Sequence, residues 1–410
     1  MLRILFWLEF GLALLMVSVS LPLFLDLFLV SAGSLWSSMR TRVRQSGRAG
    51  EPLRILGIVI PAHNEEILLA RTIRSVQAAV AQASKPDDRA TTRIYLVAHN
   101  CTDKTAEIAE LCGASVLQLE DRGNGGKPAA LRVGFTRAIE DGCEAILVLD
   151  ADSVVSLNLI EATQDVLAMG ANAAQCRYEQ RRSPESAGDL ALRLRVIAFR
   201  GMNVVRGRGR AALGFSAGIF GNGFVLTAET LRHIPYLANS IAEDIEYHAA
   251  LVASGRSVAW IEQAQVIAEL APGGVAQQTQ EARWEGGRMR VAWSAAPRLI
   301  QSSLRGRPSS VEALLAVTSL PFSLGCLSIL LCFVLPFAWS RLYGIASLGI
   351  ACFYLAMAVH AGPDPIQDWL ALLAAPKFLI HKVGLIPRIV RQAGRKAVWT
   401  RTHRENTSSR

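Results

Sequence analysis

The sequence predicts an α/β domain with a mostly parallel sheet, joined to about three transmembrane helices. The chain of 410 residues is 51% hydrophobic and only 19% charged, an apolar excess for a soluble protein. Its apolar residues are concentrated in two blocks, one near the N-terminus and one between about residues 314 and 359. Between the blocks, short apolar runs alternate with segments of helical period, which is typical of strands joined by crossover helices.

The first block, Ile4 to Val30, is long enough to cross a bilayer core of ~30 Å. It exceeds the ~7–15 apolar residues of a signal peptide, and no good A-x-A cleavage site follows it. Four arginines follow the block within residues 40–48, whereas Arg3 alone precedes it. This asymmetry predicts a signal anchor whose downstream side faces the cytoplasm.

The second block is interrupted at Phe337 to Arg341, which predicts two spans joined by a short turn. The tail after it is basic, so we expect the tail on the cytoplasmic side as well, with Trp369 to Val390 lying along the membrane interface. The net charge of +9 arises largely from these flanks and indicates membrane contact rather than nucleic-acid binding. Seven cysteines without a C-x-x-C pair argue against a disulfide or zinc framework.

These features divide the chain into four predicted segments: an anchor with a basic linker (1–50), a cytoplasmic α/β domain (51–305), two transmembrane helices (306–365) and a basic interfacial tail (366–410).

The α/β domain begins with four predicted strands: Ile55–Ile60, Ile94–Ala98, Ser115–Leu119 and Ala145–Leu149. Three of them are followed by polar clusters: His63-Asn64-Glu65, His99-Asn100 and Asp150-Ala151-Asp152. Ligands of parallel sheets bind beyond the carboxyl ends of the strands. The pattern therefore predicts a nucleotide-binding site at that edge.

Asp150 and Asp152 predict a divalent metal site. At strand spacing the two carboxylates point the same way and repel each other unless a cation lies between them. Mg²⁺ or Mn²⁺ is typically held by one or two carboxylates together with substrate phosphates. An isolated D-x-D is more often a solvated turn, so the interpretation depends on three further motifs: Ala242-Glu243-Asp244 at the start of a helix, Gln280-Glu281-Ala282-Arg283-Trp284, and Gly221-Asn222-Gly223, which by itself indicates a flexible loop.

The order PAHNEE, DAD, GNG, AED and QEARW over residues 53 to 300 resembles the membrane-bound family 2 glycosyltransferases. That branch includes cellulose, chitin and hyaluronan synthases and ceramide glucosyltransferases. The resemblance implies a GT-A (Rossmann-like) catalytic domain and inverting transfer from a nucleotide sugar, UDP-linked by expectation. It also implies a lipid or growing polysaccharide acceptor, a multi-pass protein of the cell (inner) membrane, and a role in cell-envelope or exopolysaccharide synthesis.

The resemblance also implies a role for each matching residue. Asp150 and Asp152 bind the diphosphate through Mg²⁺ or Mn²⁺, and Asp244, with Glu243 beside it, is the general base. Gln280, Arg283 and Trp284 lie at the acceptor end, with Arg283 near the diphosphate. The donor-binding set is Pro61, Ala62, Asn64, Glu65, His99, Lys127 and Asp150. A Walker-type ATP site is rejected, because Lys127 is followed by Pro128 rather than Ser or Thr.

Several alternatives stay open from the sequence. A sugar nucleotidyltransferase also needs acidic metal ligands, and a non-catalytic membrane scaffold with a degenerate transferase domain is a second alternative. Three helices are few for a self-contained polymer channel, which favours single transfer to a lipid or a polymerase working with a partner subunit. His99 stands where the family usually has an aspartate that contacts the donor base, so the preferred nucleotide stays open.

Overall fold

The computed structural model describes residues 2–39, 53–83, 91–121, 125–182, 188–270 and 275–384, without the side chains of residues 2, 39, 275–285, 377 and 381–383. The strands are β1 (Ile55–Ala62), β2 (Thr91–His99), β3 (Ser115–Leu119), β4 (Ala145–Val148), β5 (Ser153–Val155), β6 (Ala173–Arg181), β7 (Phe224–Thr227) and β8 (Ala259–Glu269).

The helices are α1 (Leu2–Met39), α2 (Leu69–Gln82), α3 (Thr105–Leu111), α4 (Gly126–Glu140), α5 (Leu159–Ala168), α6 (Leu190–Arg200), α7 (Arg206–Ala212), α8 (Ala228–His233), α9 (Glu243–Ala253), α10 (Val275–Leu304), α11 (Pro308–Thr318), α12 (Phe322–Val334), α13 (Ala338–His360), α14 (Pro365–Ala371) and α15 (Ala375–Gly384). A π-helical segment, Gly201–Val205, joins α6 to α7. Of the predicted interfacial segment Trp369 to Val390, the part after residue 384 lies outside the described residues.

The eight strands form one sheet in the order β3-β2-β1-β4-β7-β6-β8-β5. The first four pair in parallel, as the sequence predicts. Their central residues, such as Ile58, Val59 and Ile60, are fully buried because helices cover both faces of the sheet. β2, β1 and β4 are neighbours, so the three polar clusters that follow these strands lie along one edge.

The second half of the sheet is mixed and was not predicted. β7 runs antiparallel between β4 and β6, β8 is parallel to β6, and β5 is antiparallel to β8. Phe224, the first residue of β7, pairs with Val148, the last residue of β4. The loop before β7 therefore lies at the same edge of the sheet as Asp150.

The long apolar helices are consistent with the predicted membrane spans. α1 and α13 are each long and apolar enough to cross a bilayer, and α11 with α12 forms a third span only if this pair, bent by 75°, is counted as one. The bend was not predicted. α12 alone has 13 residues, about 20 Å of helix, which is less than a bilayer core. The N-terminal end of α1 packs against the α12–α13 turn, where the Phe6 and Phe337 rings are 5.6 Å apart.

The segment from α6 to α7 joins the sheet to α1 by direct backbone contact. A Cβ added to Gly209 of α7 would lie 2.0 Å from the carbonyl oxygen of Val30 in α1, and one added to Gly33 would lie 2.3 Å from the carbonyl oxygen of Gly209. Any side chain at either position would separate the helices. The two glycines thus allow the close helix crossing that small residues permit in membrane proteins.

Three arginines of α7 bind acids from three different elements. Arg206 Nη2 lies 2.8 Å from Asp26 Oδ2 in α1, Arg208 Nε donates to Glu262 Oε2 in β8 at 2.9 Å, and Arg210 Nε lies 2.5 Å from Glu312 Oε1 in α11. Asp26 and Glu312 are 1% and 4% exposed. Charges this deeply buried are tolerated only with partners. The ion pairs therefore fix α7 between the sheet and the apolar helices.

We expect Asp26→Asn to lower the thermal unfolding temperature of the detergent-solubilised protein strongly. The amide keeps the shape but leaves Arg206 without its anionic partner, and breaking a buried pair typically costs about 3–5 kcal/mol. The matched control is Glu269→Gln, which breaks the Arg71–Glu269 pair, whose side chains are both 43% exposed; such a pair is worth about 0–1 kcal/mol. Equal shifts for the two variants would show that the buried pair contributes no more than a surface one.

Candidate active site

Asp150 and Asp152 lie in the turn that follows β4. β4 ends at Val148, and the Ser153 N–H donates to the Asp150 carbonyl at 3.2 Å to close the turn. The expectation that both carboxylates share one face of a strand is wrong, because the two residues have already left the strand. Both carboxylates nevertheless lie close enough to the buried Tyr178 to act on it: burial first, and then their charges, raise the pKa of Tyr178 well above its ordinary value.

The loop Phe220–Gly223 crosses this turn and is held by hydrogen bonds, whereas its two glycines were interpreted from the sequence as a flexible loop. Asn222 is fully buried; its Oδ1 accepts from the Asp150 N–H at 3.0 Å and its Nδ2 donates to Ser153 Oγ at 2.8 Å. Gly221 and Gly223 have φ of +77° and +69°, a region that glycine adopts without strain. The glycines shape the loop so that the asparagine side chain turns inward.

Gln175 of β6 hydrogen-bonds to the same loop. Its Nε2 donates to the carbonyl oxygens of Asn222, Gly223 and Cys176 at 2.8, 3.2 and 2.9 Å. Its Oε1 accepts from the Phe220 N–H at 3.0 Å. Like Asn222, Gln175 is fully buried, and both ends of its amide have hydrogen-bond partners.

Lys127, at the start of α4, extends from the other side. Its Nζ contacts Asp150 Oδ1 and donates to the Gly221 carbonyl at 2.8 Å. Burial opposes the charge on Lys127, but the carboxylates of Asp150, Glu243 and Asp244 outweigh this and raise its pKa. The lysine is therefore a cation at neutral pH, placed at the edge of the sheet where the sequence predicts phosphate binding.

Glu243 and Asp244 form the first turn of α9, and Asp244 approaches the same loop. A Cβ added to Gly221 would lie 3.4 Å from Asp244 Oδ2. Burial raises the pKa of Asp244, although its Oδ1 accepts from the Ile245 N–H at 2.9 Å. Burial first, and then the charge of Asp244, raise the pKa of Glu243 to about 7. The structure thus brings Asp150, Lys127, Glu243 and Asp244 together around one loop.

The predicted acceptor-end residues Gln280, Arg283 and Trp284 lie on α10, but their side chains are outside the described part of the chain. The backbone of α10 passes the start of α9, since a Cβ added to Gly287 would lie 3.1 Å from Ala242 Cβ. The motif precedes this contact by three to seven residues, or about 5–10 Å along the helix. Its backbone therefore lies within about two helical turns of the contact at the start of α9.

The predicted donor residues that follow β1 hydrogen-bond to the segment that follows β2. Pro61 and Ala62 end β1. Asn64 (φ +55°) exchanges hydrogen bonds with Thr102, and the Glu65 N–H donates to Thr105 Oγ1 at 2.8 Å.

His99 ends β2 and is 8% exposed. Its Nε2 lies 3.8 Å from Asp121 Oδ2, and its carbonyl oxygen lies 2.6 Å from His63 Nδ1. Burial lowers the pKa of His99, and the nearby Asp121 opposes this only in part. The imidazole is therefore expected to be neutral at physiological pH.

Asp150 and Asp152 are compatible with a divalent cation. No cluster of three or more His, Cys, Asp or Glu side chains that could enclose a metal occurs within the described ranges. A two-carboxylate site suits Mg²⁺ or Mn²⁺ when substrate phosphates complete the coordination. The residues present fit an ion that binds together with a diphosphate.

Sequence reasoning missed Gln175, Ser153 and Tyr178. No local pattern marks them, because their roles depend on the pairing of β6 with β7 and on the turn after β4.

Comparison with known families identifies the chain. The family model described as glycosyltransferase-like family 2 matches residues 53–295, more than half of the sequence. The chain belongs to this family. Family 2 membership and the GT-A fold were both predicted from the order of motifs and are confirmed, and the chain is a glycosyltransferase by family. A comparison with curated proteins gives no match.

Several solved structures are similar to this chain at low identity, and the first of them shows the same fold. A mannosyltransferase from Pyrobaculum calidifontis, in complex with GDP-Man and Mn²⁺, is 14% identical with a TM-score of 0.53, over 93% of this chain and 97% of that one. TarS (residues 1–349) of S. aureus with UDP is 14% identical with a TM-score of 0.41, over 74% and 90%. Glucosyl-3-phosphoglycerate synthase from Mycobacterium tuberculosis, with Mn²⁺, UDP and phosphoglyceric acid, is 16% identical with a TM-score of 0.41, over 65% and 80%.

The raised pKa of Glu243 predicts a pH-dependent effect of Glu243→Gln on stability. A carboxyl whose folded-state pKa lies above its unfolded value of 4.5 contributes stability below pH 4.5, and this is lost as pH rises to about 7. The unfolding temperature of Glu243→Gln minus that of the wild type should therefore increase between pH 4.5 and 7.

The control for this prediction has the opposite sign. A hydrogen bond from Arg256 lowers the pKa of Glu229, so Glu229→Gln should lose stability relative to the wild type as pH rises through 4.5. If the Glu243→Gln difference is flat across this range, the pKa of Glu243 is the same in the folded and the unfolded protein, and burial does not raise it.

Proposed function

We propose that this family 2 chain is a membrane-bound, inverting glycosyltransferase that moves a sugar from a nucleotide-sugar donor to a lipid or saccharide acceptor. The observation that carries the proposal is the convergence of Asp150, Lys127 and Asp244 on the loop Phe220–Gly223 at the carboxyl edge of the sheet. Asp150 suits a metal ion, Lys127 is a cation and Asp244 is a potential base.

On the donor side, the chain supplies charge for the diphosphate. Mg²⁺ or Mn²⁺ bound by Asp150 and Asp152 would neutralise charge on the departing diphosphate. Lys127 adds a positive charge beside Asp150, and its raised pKa keeps it protonated. The similar mannosyltransferase was solved with GDP-Man and Mn²⁺, which supports the choice of ion and of donor class.

On the acceptor side, Asp244 would take the proton of the attacking hydroxyl. Its burial raises its pKa toward the range of an efficient general base. Asp244 reaches the loop on the Gly221 side, whereas Asn222 binds Asp150. A hydroxyl that attacks opposite the diphosphate needs base and leaving group on separate sides, as in inverting transfer. Gln280, Arg283 and Trp284 would bind the acceptor, with Arg283 near the diphosphate.

The apolar helices support a membrane acceptor. Two or three helices are long and apolar enough to span a bilayer, and α7 joins α1 to the sheet through Asp26 and Arg206. A lipid or lipid-linked saccharide could reach the carboxyl edge without leaving the membrane surface. The arginines after α1 support a cytoplasmic position for the proposed catalytic residues 51–305, between the proposed anchor 1–50 and the segments 306–365 and 366–410. A polymer product would need a partner subunit for export.

Of the two alternatives from the sequence, family membership disfavours the sugar nucleotidyltransferase. A non-catalytic scaffold would not need Asp150, Lys127 and Asp244 around one loop. The deciding experiment incubates the detergent-solubilised protein with a panel of labelled nucleotide sugars and lipid extracts, with and without Mn²⁺, and analyses lipid and polymer fractions. Absence of transfer from every donor would contradict the proposed function.

Two matched amide substitutions separate the proposed metal ligand from the proposed base. Asp152→Asn should abolish transfer and weaken Mn²⁺-dependent UDP binding, because it removes a ligand charge. Asp244→Asn should bind UDP with Mn²⁺ as the wild type does, yet transfer sugar about 10²–10⁴-fold more slowly. Calorimetry gives the first quantity and labelled-sugar assays the second. Undiminished turnover in Asp152→Asn, or loss of UDP binding in Asp244→Asn, would overturn the corresponding role.

His99→Asp tests contact with the donor base. If residue 99 accepts a hydrogen bond from uracil N3–H, the aspartate variant should retain or improve UDP-sugar binding and reduce its loss at acid pH. Because burial lowers the pKa of His99, the wild-type loss should begin below the ordinary value of about 6.5. Asp121 lies near, so His99→Asp combined with Asp121→Asn is the control for carboxylate repulsion. Identical affinities and pH profiles for all three proteins would exclude contact between His99 and the base.

A further inference from the structure

The three groups proposed for the reaction meet at one short loop, although they come from distant parts of the chain. Asp150 follows β4, Lys127 opens α4 and Asp244 opens α9. Asp150 is bound through Asn222, Lys127 through the Gly221 carbonyl, and Asp244 packs on the open side of Gly221. The loop is the structural element that all three share.

We propose that Gln175 and Asn222 are positioning residues that hold the loop Phe220–Gly223, and thereby set Asp150, Lys127 and Asp244 relative to one another. The proposal rests on the proposed function. Neither side chain can reach substrate, since both are fully buried, so both act through other groups.

The chemistry of the two amides matches their places. The Phe220 N–H donates to Gln175 Oε1, whereas three carbonyl oxygens accept from Gln175 Nε2. Asn222 likewise presents an acceptor to the Asp150 N–H and a donor to Ser153 Oγ. A carboxylate at position 175 would face the carbonyl oxygens without a proton to donate. An apolar side chain would leave buried polar groups without partners, which is costly.

The loop has little freedom to adjust by other means. Gly223 donates to the Val148 carbonyl at 2.9 Å and accepts from the Cys176 N–H at 2.8 Å, so its end belongs to the sheet. A Cβ at Gly223 would also meet Val266 Cγ2 at 2.8 Å. A shift of the loop at Gln175 would therefore move Gly221 and Asn222 rather than Gly223, and these are the residues that contact Lys127, Asp244 and Asp150.

The test uses two substitutions at position 175 in the full chain, solubilised in detergent. Gln175→Glu replaces the donor end by a carboxylate oxygen, and Gln175→Met removes every hydrogen bond at similar volume without adding charge. Mn²⁺ affinity in the presence of UDP is measured by electron paramagnetic resonance, and kcat and KM are measured with the best donor from the panel. The control is Gln180→Glu, the same change at a buried position (7% exposed) of the same strand.

We expect both Gln175 variants to bind Mn²⁺ with UDP about tenfold more weakly, the equivalent of one lost hydrogen bond. Their kcat should fall about 10²-fold, as for a misplacement near 1 Å, while KM changes less. Gln180→Glu should show near-wild-type affinity and kcat, and its unfolding temperature is measured beside that of Gln175→Glu. If Gln175→Glu does not fold, Gln175→Met decides.

A second pair tests the other amide. Asn222→Leu removes the bond to the Asp150 N–H and should lower Mn²⁺ affinity as the Gln175 variants do. Ser153→Ala removes only the far partner of Asn222 and should have a clearly smaller effect. Mn²⁺ affinity and kcat within twofold of wild type in Gln175→Met and Asn222→Leu would overturn the positioning role while leaving the proposed function intact. A wild type that transfers no sugar would instead overturn the proposed function, and the Mn²⁺·UDP affinities would still decide the positioning role.

Discussion

The candidate site depends on one constraint, which is that the polar atoms of two buried amides must all be satisfied. Gln175 and Asn222 meet this requirement only if the loop Phe220–Gly223 crosses the turn after β4 as it does. The antiparallel β7 brings the loop there, because β7 begins where β4 ends. The mixed half of the sheet thus serves the parallel half, by carrying a loop over the edge where the donor is proposed to bind.

Local sequence was sufficient for the parallel half of the fold. β1 and β4 are continuous apolar runs buried on both faces, and such runs are recognisable without knowledge of their neighbours. β6 and β8 contain polar residues such as Gln175 and Glu262 within the strand, because their interior positions bind loops and arginines. Their identity as strands depends on distant pairing, which no local period shows.

The candidate site likewise combines features that the local sequence shows with features that depend on distant contacts. Each acidic motif alone has an ordinary structural explanation, and the motifs were recognised because their order along the chain resembles that of the family 2 glycosyltransferases. The two glycines beside Asn222 were interpreted as the mark of a flexible loop, because glycine is favoured both in flexible segments and at positions with positive φ. The burial of Asn222 between them indicates a packed loop, and this burial depends on tertiary contacts that the local sequence does not show. The first apolar block had a local signal in Asp26, since a charge in such a block usually has a partner.

The π-helical segment Gly201–Val205 sets the rotation of α7 relative to α6. A π turn contains one residue more than an α turn, so α6 and α7 do not continue the same helical phase. Arg200, before the segment, binds Asp368 of α14, whereas Arg206, after it, binds Asp26 of α1. Removing one residue would rotate everything beyond it by about 100° and turn Arg206 away from α1. A single codon thus determines whether the sheet and α1 remain joined.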